Sequence, residues 1–201
     1  NKEFSNQYTV IFSFVLFLIA GSLLTVVATS LKPLQGEQEI VNQSRKMLRC
    51  ASDTSNRETI NLMANDDILE MYNNRVEAKL VTMNGELKTF SEQNIDYEKY
   101  IQEYKKDGYS HLDNKLIYIV DGGDSMIIPV NGFGLWGPIY GYICIEKDGK
   151  TVRNIEWYKH VETPGLGAGI SEWEFQKQFI GKRILISKSE TPDIDNASVG
   201  I

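Results

Sequence analysis

The stretch IYGYICIEKDGKTVRNIEWYK, residues 139–159, predicts a β-hairpin. Its two arms, Ile139–Ile145 and Thr151–Lys159, are rich in β-branched and aromatic residues, and the turn between them contains Asp148-Gly149. Alternate residues of a strand face opposite sides of a sheet, and both sides of the first arm are apolar. We therefore expect Ile139–Ile145 to be a central strand of a sheet.

Apolar runs on the N-terminal and C-terminal sides of this hairpin predict the remaining strands. Leu116–Val120 and Met126–Val130 flank a turn of two aspartates and two glycines. Arg75–Thr82 leads through Asn84-Gly85 into a short return strand that ends at Phe90. A last strand is predicted at Arg183–Ser187.

Helical periodicity appears before the first of these strands and again between later ones. It predicts helices at Glu37–Ala51, more weakly at Asn56–Tyr72, and at Ile95–Lys106, where Gly108 follows as the stop. Near the C-terminus, Ser171-Glu-Trp-Glu174 has the pattern of a capping box for a helix through Ile180, which Gly181 would end. Together with the strands, these helices predict an α+β fold with a mixed, largely antiparallel sheet.

The N-terminal segment Tyr8–Leu31 contains 24 residues and no charged side chain. As a helix it would be about 36 Å long, against about 30 Å for the hydrocarbon core of a bilayer. The apolar region of a signal peptide is shorter, so we expect a retained transmembrane helix that stops at Lys32-Pro33. Lys2 and Lys32 balance each other across the segment and leave its orientation open.

The charged and metal-binding residues exclude several classes of function. A net charge of −6 argues against a nucleic-acid partner, which would need a basic face. The two cysteines, Cys50 and Cys144, form no C-x-x-C motif, and we expect free thiols with packing roles. The two histidines, His111 and His160, are too few for a histidine-rich site, so no metal centre is predicted.

Two glycine-rich segments adjoin the hairpin: NGFGLWGP at 131–138 precedes its first arm, and HVETPGLGAGI at 160–170 follows its second. In an antiparallel pair the start of one strand lies beside the end of its partner, so we expect these loops to meet. Neither contains a dinucleotide or P-loop motif, and His160 with Glu162 lacks a third metal ligand. Backbone amides and apolar side chains at such a site suit a flat, amphipathic ring.

The alternative is that the glycines only relieve crowding at a sheet edge and Trp136 belongs to the core beside Trp157 and Trp173. Two motifs favour the ring site. Glu162–Gly167, ETPGLG, and Gly134–Gly141, GLWGPIYG, resemble the signature segments of the periplasmic FMN-binding domain family. This family includes the C subunit of the sodium-translocating NADH:quinone oxidoreductase and the G subunit of the Rnf electron-transport complex.

The resemblance is specific over residues 115–187, and the insertion at 52–114 favours the quinone-reductase subunit. It implies FMN bound through its phosphate to a threonine by a flavin transferase. Single electrons would then pass within a Na⁺-pumping complex that reduces ubiquinone. The chain would not be catalytic alone, would bind other membrane subunits and the lipid bilayer, and would hold its domain in the periplasm of a bacterial inner membrane. Its implied cofactor-binding residues are Gly134, Leu135, Trp136, Glu162, Thr163, Gly165, Leu166 and Gly167.

The resemblance also implies a division of the chain: an anchor at 1–32, a helical linker with the insertion at 33–114, and an FMN-binding core at 115–201. The family's attachment motif, Asp-x-x-Ser-Gly-Ala-Thr, is absent from the 201 residues, and we expect it C-terminal to Ile201. Thr163 and Thr191 each precede a proline and lack that context. Two alternatives stay open, an Rnf-type subunit and a membrane-tethered extracytoplasmic binding module without a redox role.

Overall fold

The computed structural model describes residues 6–108, 112–185 and 199–200, and it divides into one unit that ends at Ile40 and another that begins at Val41. Helix α1, Asn6–Ala51, contains a segment, Gln7–Lys32, that by length and composition could cross a membrane. Three hydroxyl groups of this segment donate to the carbonyl four residues earlier, at 2.7–2.8 Å; they belong to Thr25, Thr29 and Ser30. These bonds satisfy the hydroxyls within the helix, as an apolar surrounding requires.

The expected helix end at Pro33 is wrong, because α1 is 46 residues long and continues through this proline to Ala51. The predicted helix Glu37–Ala51 is therefore the last part of α1. A proline inside a helix removes one hydrogen bond.

The second unit has four further α-helices among its described residues: α2 Arg57–Leu62, α3 Asn65–Arg75, α4 Tyr97–Asp107 and α5 Trp173–Gln176. Asn56–Tyr72 is not one helix, because extended backbone at Met63 and Ala64 separates α2 from α3. Helix α4 confirms its prediction: the Asp96 side chain accepts from the Lys99 N–H, and Gly108, at φ 76°, ends the helix.

The six-stranded sheet confirms the α+β prediction. Its order is β2-β1-β3-β4-β5-β6, and every neighbouring pair is antiparallel. The strands are β1 Val76–Val81, β2 Leu87–Lys88, β3 Lys115–Val120, β4 Ser125–Phe133, β5 Pro138–Glu146 and β6 Val152–Lys159. A separate short pair, β7 Ile184–Leu185 and β8 Val199–Gly200, is parallel. Strand β5 lies between β4 and β6, as the hairpin sequence predicts.

Both faces of β5 are packed, so this strand contributes to two clusters. Tyr142 and Cys144 lie in the larger cluster with Cys50 of α1, and the rings of Tyr100 and Tyr104 from α4 pack there too. The other face of β5 and β6 buries a smaller cluster, which consists of Ile145, Val152, Ile155 and Ile184. Both cysteines are free and buried, as predicted.

The predicted capping box at Ser171 is wrong. Ser171 ends a 3-10 turn, Gly167–Ser171, and Glu172 occupies the cap position of α5 without a side-chain hydrogen bond. The buried Gln176 donates to the carbonyl of Ser171 at 3.2 Å, which ties this residue to the turn. Gly181, at φ 76°, ends the helical region as predicted. His111, Thr191 and the end of the strand predicted at Arg183–Ser187 lie outside the described residues.

Candidate functional site

The first glycine-rich segment is the tip of the β4–β5 hairpin. Strand β4 continues to Phe133, which pairs with Pro138, so only Gly134–Gly137 form the turn. The Gly134 N–H donates to the Gly137 carbonyl at 2.8 Å and closes it. Trp136 is 67% exposed, so the alternative that it belongs to the core is wrong. Leu135 beside it is 82% exposed, and the tip presents both side chains to solvent.

The second segment makes a tight turn after β6. The carbonyl of Thr163 accepts hydrogen bonds from the N–H groups of Leu166 and Ala168, at 3.1 and 3.2 Å. Gly165 supplies the φ of 75° that this turn needs and that other residues rarely adopt. The turn leaves the side chain of Leu166 78% exposed.

The two segments meet through Glu162, as the strand order predicts. Its Oε1 accepts a hydrogen bond of 3.1 Å from the backbone N–H of Trp136, and the residue is only 9% exposed. Glycines lie on both sides of the carboxylate. A Cβ at Gly134 would collide with Oε1, and a Cβ at Gly167 would lie 2.6 Å from Oε2. The carboxylate of Glu162 therefore fits between Gly134 and Gly167 only because neither position carries a Cβ.

Comparison with known proteins identifies the family. Residues 134–199, which include both loops, match the FMN-binding domain family. The C subunit of the Na⁺-translocating NADH-quinone reductase from Chlamydia trachomatis is 30% identical over an alignment of 248 positions, which covers all of this chain and 78% of that protein. The chain belongs to the family of this subunit. The corresponding protein from Yersinia pestis is also 30% identical and covers 85% of this chain and 68% of its own length.

Solved structures agree on the fold of this family member. The C subunit from Parabacteroides distasonis superposes with a TM-score of 0.57 at 24% identity, over 85% of this chain and 82% of its own. NqrC from Shewanella oneidensis superposes with a TM-score of 0.52 at 21% identity, and the superposition covers 71% of this chain and 76% of its own. The domain match and the relatives together support an FMN flavoprotein that is part of an oxidoreductase complex.

The structure separates the predicted site residues by what they contact. Contacts across the two loops join Gly134 and Trp136 to Glu162, which also packs against Gly167 of its own loop. Leu135 and Leu166 are exposed on the same loops, whereas Thr163 and Gly165 shape the second turn. Sequence reasoning missed Gly137 and Val161, which touch across the gap; a Cβ at Gly137 would lie 2.5 Å from Cγ2 of Val161.

The side chains of His160 and Glu162 both accept hydrogen bonds from backbone N–H groups. The Glu162 N–H donates to Nδ1 of His160 at 3.3 Å, while the carboxylate is turned toward Trp136. Among the described residues, no group of three or more potential metal-ligating side chains occurs.

A buried charge cluster contacts α5, the helix that follows the second loop in the chain. Glu156 on β6 is fully buried and pairs with Lys46, Arg49 and Arg57. The Arg57 guanidinium lies 4.3 Å from the ring centroid of Trp173. Burial lowers the pKa of both Lys46 and Arg57, while the carboxylate of Glu156 opposes the shift in each. The cluster therefore joins β6, two helices and Trp173 of α5.

Proposed function

We propose that this chain is the FMN-carrying subunit of a Na⁺-pumping NADH:ubiquinone oxidoreductase, with the isoalloxazine between its two glycine-rich loops. The observation that supports the site is the contact of these loops through Glu162, which brings Leu135 and Trp136 near the loop that carries Leu166. Their exposed apolar side chains fit the faces of a flat ring. FMN supplies one-electron transfer when bound, and this chain's residues hold and orient it.

The exposure of the site suggests why a covalent bond would be useful. Leu135, Trp136 and Leu166 all remain more than two-thirds exposed, so the loops alone would bury little of a ligand. Small buried area gives weak binding. A phosphoester to a threonine, made by a flavin transferase, would hold the ring at an effective concentration in the millimolar range.

The proposed location is a bacterial inner membrane, with one span and a periplasmic domain. Gln7–Lys32 would provide the span, and other membrane subunits of the complex would provide the electron donor and acceptor. The Na⁺ path belongs to those subunits in this proposal, since Tyr8–Leu31 contains no charged residue.

The cofactor is tested with the full-length encoded protein, coexpressed with the flavin transferase, on a denaturing gel under ultraviolet light. We expect a fluorescent band at the mass of the full chain. A dark band from a fully matured protein would reject the covalent flavin and favour the second candidate, a tethered binding module.

The position of the ring is tested by Leu166→Ser, with Leu62→Ser as a matched control. The two leucines are 78% and 80% exposed, and Leu62 is at the end of α2. We expect Leu166→Ser to shift the flavin absorption band and Leu62→Ser to leave it unchanged. Equal spectra in both variants would place the ring elsewhere.

A further inference from the structure

Glu162 differs from the other proposed flavin-site residues because it is buried and carries a charge. Within the described part of the chain we find no cation paired with it, and Oε1 instead accepts from the N–H of Trp136. Placing a carboxylate in a buried position costs free energy unless hydrogen bonds compensate. An explanation of this residue therefore has to begin with what its side-chain oxygen atoms contact.

We propose that Glu162 is a positioning residue, whose carboxylate fixes Trp136 and sets the spacing of the two loops without touching the ring. This proposal rests on the proposed flavin site and deepens it. The family motif alone suggested that Glu162 frames the isoalloxazine. In the structure its side chain lies between the two loops and accepts from the Trp136 N–H.

The packing on both sides of the carboxylate supports this role. A Cβ at Gly134 would lie 2.7 Å from Cδ of Glu162, and a Cβ at Gly167 would lie 3.0 Å from its Cβ and 2.6 Å from Oε2. The side chain therefore fills the gap between the hairpin tip and the second turn. If the loops separated, the Trp136 N–H would lose its acceptor and the carboxylate would lose its packing.

The geometry distinguishes three substitutions. Glu162→Gln keeps an oxygen that can accept from Trp136 and keeps the length of the side chain. Glu162→Asp shortens the side chain by one methylene, which moves the acceptor oxygen away from the Trp136 N–H. Glu162→Ala removes the acceptor oxygen altogether. A positioning role predicts that Gln preserves the site and that Asp and Ala do not. Glu172→Gln, at an exposed residue beyond the second turn, is the control.

The experiment measures amide hydrogen exchange at Trp136 and the flavin absorption spectrum, both in the full-length, flavin-loaded protein. We expect Asp and Ala to accelerate exchange at Trp136 by about tenfold or more and to shift the flavin band. Gln and the control should change the exchange rate by less than about threefold and leave the band unshifted. If the Ala variant does not fold, the comparison of Asp with Gln carries the test.

The outcomes separate this inference from the proposed site. If Leu166→Ser shifts the flavin band but Glu162→Asp changes neither readout, Glu162 is not a positioning residue and the site stands. If Gln alters the band as strongly as Asp, the charge acts directly on the flavin and the positioning role is wrong. If no loop variant affects the flavin, the site itself is rejected.

Discussion

Arg49 on α1 binds the buried carboxylate of Glu156 on β6 through two hydrogen bonds, from Nε to Oε1 at 3.0 Å and from Nη2 to Oε2 at 2.5 Å. The residues are 107 positions apart in the sequence. Lys46 and Arg57 share the same carboxylate, at 3.3 and 2.5 Å, so three cations surround one anion. The charge of Glu156 therefore balances a group of like charges that would otherwise repel one another.

We expect Glu156→Gln to lower the free energy of unfolding by about 3–5 kcal/mol, because it leaves three partly buried cations without their anion. Chemical denaturation of the wild type and variant measures this loss. The matched control is Glu174→Gln, since Glu174 is 74% exposed and pairs with Lys177 at 2.5 Å. An exposed pair contributes about 1 kcal/mol or less. Equal losses in the two variants would contradict the structural role of the cluster.

We expect Gly167→Ala to displace the second loop or to destabilise the protein by about 1–3 kcal/mol, because the added methyl group would overlap the side chain of Glu162. Gly169→Ala, two positions later in the same turn, is the control because its Cβ would meet no atom within 4 Å. Thermal unfolding and amide exchange at Trp136 measure both effects. A neutral Gly167→Ala would show that the side chain of Glu162 does not pack against Gly167.

The β5–β6 turn should have a pH-dependent contribution to stability. The Asp148 carboxylate accepts from the Thr151 hydroxyl at 2.6 Å and from the Thr151 and Lys150 amides at 2.8 and 2.9 Å. These bonds lower the pKa of Asp148 from 3.8 to about 2. Because the folded-state pKa is the lower one, the stabilisation is complete above about pH 4 and is lost as the pH falls toward 2.

An NMR titration of the Asp148 carboxyl carbon measures that pKa. Thr151→Val removes the hydroxyl donor and should raise the pKa of Asp148 toward 3.8, with a smaller stability difference between about pH 5 and pH 2.5. A wild-type pKa near 3.8 would contradict the hydrogen bonding of this turn.

The two thiols should be unreactive in the folded protein. Cys50 and Cys144 are fully buried, so a reagent reaches neither sulfur while the core stays closed. Burial also raises the pKa of Cys50, which disfavours its thiolate. We expect alkylation by iodoacetamide to be slow under native conditions and fast in denaturant, with intact mass spectrometry as the readout. A mass lower by two hydrogens before alkylation would reveal a disulfide and contradict the free thiols of the structure.

The hairpin was predictable because its signals are local. Alternating apolar residues and the Asp148-Gly149 turn define β5 and β6, and their order places the glycine-rich segments at one end. The residues at which helices and strands end were less predictable. A proline usually ends a helix, so the local pattern did not show that α1 continues past Pro33. It also did not show that β4 extends to Phe133, because pairing with β5 decides where that strand ends.

The function of individual side chains in the site was the least predictable part. Glu162 was assigned to the ring by its motif, yet its partner, Trp136, is 26 positions away and contributes a backbone amide. A sequence does not show which backbone group a side chain will meet. The same holds for Glu156, whose three cations come from distant helices.

The most direct test of the flavin site is an isotope-edited nuclear Overhauser measurement on the full-length, flavin-loaded protein, from the methyl protons of the isoalloxazine to the side chains of the two loops. We predict cross-peaks to the Trp136 indole and to the Leu166 methyl groups, and none to the Leu62 methyl groups. Cross-peaks confined to residues outside 134–137 and 161–167 would contradict the account.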